Sequence, residues 1–206
     1  FEKYHSFVKD ELFNDNIPFW MKHGVDKEFG GVFTCLDRKG EIYSNDKSVW
    51  FQGRCAWIFS KLCSTYGVKD EWLSVARSCL AFLNNYCIDP VDGRMYFTVT
   101  ADGKPLRKRR YFFSETFFII ANAEYYKITG DHNAFNKAKL YYDLVYKIYK
   151  NPADDPYQVP AKIIESTRAL KGLAVPMILL NVNAVLRDCD PDESSLYALR
   201  SKELTS

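Results

Sequence analysis

The chain has 206 residues and a net charge of +2. That length supports one domain with its own core, and the weak positive charge argues against a nucleic-acid partner. Hydrophobic residues make up 47% and charged residues 26%, an ordinary soluble balance, and no apolar run reaches the roughly 18 residues of a spanning helix, so no membrane partner is expected.

Residues 2–22 place Tyr4, Phe7, Val8, Leu12 and Trp20 along one helical face. Pro18 has no amide hydrogen to donate, so the last turn of this helix should be irregular. Gly31 to Thr34 opens an extended stretch that turns at Lys39 and Gly40. A helical run from Lys47 to Tyr66 follows and is closed by Gly67. The segment from Glu71 to Tyr86 is two-faced, with Trp72, Val75, Ala76, Cys79, Leu80 and Leu83 on its apolar side. Gly93 to Thr98 opens a second extended stretch that turns at Asp102 and Gly103. The next helical run, Tyr111 to Thr129, is closed by Gly130, and a two-faced segment from Asn133 to Tyr149 comes after it. A third apolar run spans Leu170 to Leu186. The tail from Asp188 is acidic and then helix-like.

This order is a repeat of about sixty residues. Setting Trp50 to Arg54 against Tyr111 to Glu115 gives an offset of 61, and a second step of 61 reaches Pro176. The runs at 50–66, 111–129 and 170–186 are apolar nearly all round, whereas their partners are amphipathic. Buried and half-buried helices therefore alternate, as two concentric rings of helices would make them, with short hairpins along one rim. A plain helical solenoid would share the periodicity. The expected fold is all-α, an (α/α)6 toroid type with short β-hairpins in the connecting loops. Six hairpins at this period need roughly 360 residues, and about three are present. By this count residues 1–206 are about half of a single closed α/α toroid domain.

Arg54 lies in an otherwise apolar helix, so its charge must be paired or face a polar cavity. The guanidinium fork suits sugar hydroxyls or a developing enolate oxygen. An ion pair is the other reading, with Glu115 as the partner because the 61-residue offset puts both at one repeat position. Trp50, Tyr111 and Phe113 are either stacking surfaces for a sugar or core. Lys47, after Asp46, is a surface charge at a helix start or part of the cavity rim.

The cluster of Lys104, Arg107, Lys108, Arg109 and Arg110 is expected to be a solvated loop. Asp89 to Gly93 lacks the later ligands of a calcium loop and is expected to be a turn. No motif for a metal, a nucleotide or a Ser-His-Asp triad is present. Six cysteines without a CxxC pair behave as small core hydrophobes and fit a reducing cytoplasm; no leader is apparent at residues 1–10. His5, His23 and His132 all fall outside the apolar helices, so the chain offers only Glu115 for proton transfer at carbon.

Five segments, EFGGVFTCLDRKG at 28–40, DKSVWFQGR at 46–54, SETFF at 114–118, AEYYKITG at 123–130 and LKGLAVPMILLN at 170–181, resemble the N-acylglucosamine 2-epimerase family. The resemblance covers essentially the whole chain and implies that residues 1–206 are the N-terminal half of a single α/α toroid domain. It implies a six-hairpin α/α toroid that interconverts N-acetylglucosamine and N-acetylmannosamine by removing and returning the C2 proton. It carries the family's catalytic arginine onto Arg54. The two histidines it assigns to proton transfer belong to later inner helices and have no counterpart here, so the chain alone should be inactive. Disaccharide epimerases place an inner-helix histidine where this chain has Pro176, which favours the amino-sugar branch. The resemblance implies no cofactor, with ATP an allosteric effector in some members, and it leaves a homodimer open. Three alternatives are a related aldose–ketose isomerase, a toroidal hydrolase or lyase, and a non-catalytic binding protein. The hydrolase needs a pair of inner carboxylates.

Overall fold

The computed structural model describes residues 2–108, 112–157, 164, 166–167 and 172–205. It begins with α1 (Glu2–Asp10), which continues through a π-turn (Glu11–Asn16), the short α2 (Ile17–Phe19) and a second π-turn (Trp20–Gly24). The irregularity brackets Pro18, which cannot donate to the helical ladder. Two small strands, β1 (Cys35–Leu36) and β2 (Ile42–Ser44), form the first hairpin. β3 (Lys47–Ser48) leads directly into α3 (Val49–Tyr66), and α4 (Asp70–Tyr86) returns along it. β4 (Thr98–Val99) and β5 (Pro105–Arg107) form the second hairpin. β3 pairs antiparallel with β4, Lys47 opposite Val99, so the first repeat is stitched to the second at the hairpin rim. α5 (Phe113–Thr129), α6 (His132–Lys150), α7 (Ala174–Cys189) and α8 (Ser194–Thr205) complete the chain.

The helices fall into two layers. α3, α5 and α7 pack side by side in that order, while α4, α6 and α8 back them. Gly53 permits the close approach of α3 to α5: a Cβ there would sit 2.7 Å from the Phe117 Cβ and 2.9 Å from its carbonyl carbon. Asp131 caps α6 by accepting from the amides of Asn133 and Ala134.

The structure sets the repeat length at 63 residues between the first two units, not 61. The isolated bridge Val25–Val32 recurs as Ile88–Met95. The Phe33 amide donates to the Gly24 carbonyl as the Tyr96 amide does to Cys87. The helix-ending glycines Gly67 and Gly130 keep the same interval. So do the turn glycines Gly40 and Gly103, both at φ +88°, where a Cβ would strike the ring of His23 in one unit and of Tyr86 in the other.

This register moves Glu115. Its counterpart is Gln52, not Arg54. Gln52 accepts from the Val32 amide (2.9 Å) and donates to the Val32 carbonyl (2.6 Å). Glu115 accepts from the equivalent Met95 amide (3.1 Å). A carboxylate cannot return the second bond, and Arg94 supplies a cation beside it instead (2.7 Å). The expected Arg54–Glu115 pair is therefore not formed: two residues of displacement turn a side chain about 200° around a helix.

The expected contrast in burial holds fully for one inner helix. α5 is buried over most of its length, from Ser114 to Tyr125. α3 and α7 each keep an open face. α5 has an inner helix on both sides, whereas α3 and α7 each have one. The start of the third run at Leu170 lies outside the described residues, and the described helix begins at Ala174.

Candidate functional site

Counting back from the helix ends at Gly67, Gly130 and Asp190, the same inner-face position is Arg54 on α3, Phe117 on α5 and Met177 on α7. Arg54 is exposed and its guanidinium carbon stands 4.3 Å from the centroid of the Phe117 ring. No carboxylate lies within ion-pair distance of it among the described residues. A guanidinium on an aromatic face keeps its edge N–H donors available to a third group.

Trp50 stands one turn before Arg54, half-buried. Its ring lies 5.1 Å from Phe97, 5.5 Å from Phe113 and 5.9 Å from Phe117. Its indole N–H is buried without a hydrogen-bond partner. Trp50 and Phe113 thus belong to a four-ring cluster that ties the second hairpin to α3 and α5, with Arg54 at its edge. Beyond Arg54 a cavity of about 120 Å³ is lined by Ile17, Trp20, Phe51 and Ile58. Tyr111 lies outside the described residues.

Glu115 is fully buried on the other side of α5. Arg94 bridges it to Asp155, with 2.7 Å to each carboxylate, and Arg94 is itself almost wholly buried. Lys108 holds Asp89 and Asp92 at 2.7 and 2.6 Å, and the Tyr157 hydroxyl donates to Asp92. Burial alone would raise the Asp92 carboxyl, but hydrogen bonds from Lys108, Tyr157 and the Arg94 amide outweigh it and hold the group at about 2. This network fastens the segment at 155–157 to the second hairpin. Glu115 is part of that fastening and is separate from the Arg54 face.

Lys47 is neither a surface cap nor an open rim residue. It is completely buried, and its ammonium donates to Asp26 (2.6 Å) and to the carbonyls of Gly30 (2.8 Å) and Ala101 (3.0 Å). The basic cluster is solvated at Lys104, which pairs with Asp102 while 78% exposed, and at Arg107, but Lys108 anchors the network above; Arg109 and Arg110 lie outside the described residues. Asp89 to Gly93 is a turn, with the Asp89 carboxylate accepting from the Val91 amide. The other carboxylate of α5, Glu124, is buried against Lys61 (3.5 Å) and Ser64 (2.5 Å). Both α5 carboxylates are engaged in the packing, so the pair that a glycosidase needs is not free on this helix. Among the described residues no group of three or more His, Cys, Asp or Glu gathers as a metal site would.

Sequence reasoning missed Arg94, Asp155 and Phe117. The equal spacing of Gly40 to Gly103 and of Gly67 to Gly130 was the available signal. It fixes the register and puts Phe117, not Glu115, beside Arg54.

Three consecutive inner helices backed by an outer layer, with hairpins on one rim, define an α/α toroid. The structure matches a cellobiose 2-epimerase from Bacillus thermoamylovorans with a TM-score of 0.81 at 22% identity, covering 99% of this chain and 55% of that one. In sequence it is 35% identical over 185 residues to the N-acylglucosamine 2-epimerase of Rattus norvegicus, which is 88% of this chain and 43% of that protein. It is 34% identical over 151 residues to a cellobiose 2-epimerase of Ruminococcus albus, 73% of this chain and 38% of that protein. Residues 31–206 match the family described as N-acylglucosamine 2-epimerase (GlcNAc 2-epimerase), and the chain belongs to that family. It spans less than half the length of these curated relatives.

Proposed function

We propose that the chain forms one side of the active site of a sugar 2-epimerase acting on an N-acylated hexosamine. The observation that carries this is Arg54: a cation on an inner helix, stacked on Phe117, exposed, and without a carboxylate partner among the described residues. Inverting C2 requires removal of its proton from the open-chain aldehyde. Electron density then moves onto the carbonyl oxygen, which becomes an enolate. A guanidinium with free edge donors is suited to that developing charge, and a donor of this kind is worth about 3 kcal/mol in a transition state. The flanking rings of Trp50 and Phe113 offer apolar surface to a sugar face. Proton transfer at C2 calls for no redox cofactor, and none is part of the proposal.

The N-acyl sugar is favoured over a disaccharide by the inner face of α7. The corrected register sets Met177, not Pro176, level with Arg54, and neither residue can serve as the imidazole of the disaccharide enzymes. The acid and base belong to later inner helices in this proposal, because the three histidines of this chain are on none of α3, α5 and α7. All six cysteines are free and five are buried, which supports a reducing, cytoplasmic setting. No helix among the described residues is long and apolar enough to cross a membrane.

The test is Arg54→Lys in a protein carrying the full ring, with turnover on N-acetylmannosamine and the thermal midpoint measured together. Turnover should fall roughly a hundredfold while the midpoint stays within about 2 °C, since the side chain is exposed. Normal turnover per folded molecule would reject the assignment. The 206-residue chain alone should not exchange deuterium into C2, and rapid exchange would show that the proton-transfer groups are within it.

A further inference from the structure

The outer helices α4 and α6 are separated by a groove whose floor is α5, a cavity of about 170 Å³. α4 packs chiefly on α3, and α6 on α5. The walls carry Arg77 and Lys137, and the floor carries Asn122 and Tyr125, which are 1% and 8% exposed. Arg77 Nε donates to the Tyr125 hydroxyl (3.4 Å). Both terminal amino groups of that guanidinium are left without an acceptor among the described residues. The Lys137 ammonium donates to the amide oxygen of Asn84 (2.6 Å) and has two further hydrogens to give. Neither cation has a carboxylate within ion-pair distance among the described residues. Asp131 also lines the groove, but its carboxylate accepts from the Asn133 and Ala134 amides at the start of α6. The next pair of outer helices, α6 and α8, is an internal control. There Tyr142 and Tyr197 are buried in ring contact at 5.3 Å. The lysines are neutralised within the chain, Lys139 by Asp190 and Glu193, and Lys150 by Glu203. One groove is thus closed by rings and ion pairs, and the other keeps a cavity with two uncompensated cations.

We propose that the groove between α4 and α6 binds a phosphate group, either free phosphate or the head of a small monoester. A phosphoryl group carries about −1.5 to −2 charges at neutral pH, which matches two cations better than a singly charged carboxylate does. The Arg77 fork can span two of its oxygens while the Lys137 ammonium takes a third as a point charge. The Tyr125 hydroxyl accepts from Arg77 and so keeps its own hydrogen for a ligand above the floor. The volume sets the size of the occupant: it is below the roughly 300 Å³ at which pockets for larger ligands begin. A bound phosphate would tie α4 to α6 across the boundary between two repeat units, adding to the bond that Lys137 makes to Asn84. A ligand held only by the folded arrangement stabilises it by mass action. The groove is in the outer layer and Arg54 is on an inner helix, so the proposal is independent of the proposed activity.

Titration calorimetry with inorganic phosphate at constant ionic strength tests it, on a protein carrying the full ring. Saturable binding of one phosphate per chain is expected. Arg77→Gln and Lys137→Gln should each weaken it about tenfold, the loss of one charge-assisted hydrogen bond. Both side chains reach solvent, so each variant should keep the parent's far-UV circular dichroism. Lys139→Gln, whose charge is engaged by Asp190 and Glu193, should bind phosphate as the parent does. Glycerol phosphate as a second probe separates the two sources. Tighter binding than inorganic phosphate marks the head of a monoester, and equal or weaker binding marks free phosphate. Acetate binding as tightly as phosphate would overturn the assignment. So would phosphate binding that is absent at millimolar concentration, or that is unchanged in both groove variants.

Discussion

Replacing Lys47 by Met should unfold this protein more readily than almost any other single change at its rim. Met keeps the aliphatic stem and removes the charge. All three ammonium hydrogens are in use, at 2.6, 2.8 and 3.0 Å, and the charge also stands 4.2 Å from the centre of the Phe82 ring. Without it, Asp26 stays buried at 4% exposure with only the amides of Glu28 and Phe29 to stabilise its charge, and the carbonyls of Gly30 and Ala101 lose a donor. Leaving one member of a buried pair uncompensated costs about 3–5 kcal/mol. For a chain of this size that corresponds to a fall of roughly 10 °C in Tm. Urea denaturation followed by far-UV circular dichroism at pH 7 measures it. Adding Asp26→Asn should restore part of the loss, since it removes the stranded charge. The pH dependence has a definite sign. In the parent, burial pushes the Asp26 carboxyl up, but the bonds from Lys47, Glu28 and Phe29 outweigh it and keep the group below its ordinary 3.8. Its stabilising contribution is complete above pH ~4 and fades as the pH falls further. In the variant the carboxyl favours its neutral form, so the deficit relative to the parent should shrink on acidification. A loss under about 1 kcal/mol at pH 7, or a deficit that grows towards acid, would refute the account.

Gly53→Ala discriminates by sign: an open helical site would gain about 1 kcal/mol, whereas contact of the new methyl with Phe117 should make the variant about 1–2 kcal/mol less stable by urea titration. Lys108→Met should loosen the segment at 155–157, seen as faster amide exchange there. Because Asp92 is held at about 2 by Lys108, Tyr157 and the Arg94 amide, that fastening is complete above pH ~4 in the parent and lost as the pH drops towards 2. Burial pushes the thiols of Cys87 and Cys189 up to about 12, and Cys35 is the one cysteine that is not buried. A disulfide reagent at pH 8 should therefore modify Cys35 first in the native chain, and rapid reaction of three or more thiols would contradict the packing.

The fold was legible because each level of the sequence repeats the same statement. Helix-ending glycines, two-faced outer helices and apolar inner runs give the order and type of every long element, and all were found within a few residues of where the periodicity put them. The site was less legible, for a physical reason. A helix turns 100° per residue, so an error of two in the repeat length leaves every element in place yet sends side chains to opposite faces. Glu115 was assigned to the Arg54 face by that error. Lys47 was misjudged because a lysine beside an aspartate looks like surface. Nothing local shows that Asp26 and Ala101 close over its ammonium. The first mistake was avoidable from the glycine spacing, whereas the second concerns long-range partners, which a local pattern does not encode.

The corrected register separates two kinds of repeat position. Some hold the same job in both units with a change of chemistry that the surroundings absorb. Gln52 and Glu115 both accept from the hairpin amide, and Arg94 stands beside the carboxylate that replaces the amide. His23 and Tyr86 both lie under a turn glycine. Such positions are constrained by packing, and a cation or carboxylate found there needs no functional explanation. The position of Arg54, Phe117 and Met177 behaves differently. It carries a cation, a ring and a thioether on three successive inner helices, and only the ring is buried by a neighbour on each side. Where packing does not dictate the residue, chemistry is free to. Arg54 is thus better evidence for a site than Arg94 or Lys47, although those two are more deeply buried and more heavily bonded. Their bonds account for their charge, and those of Arg54 do not.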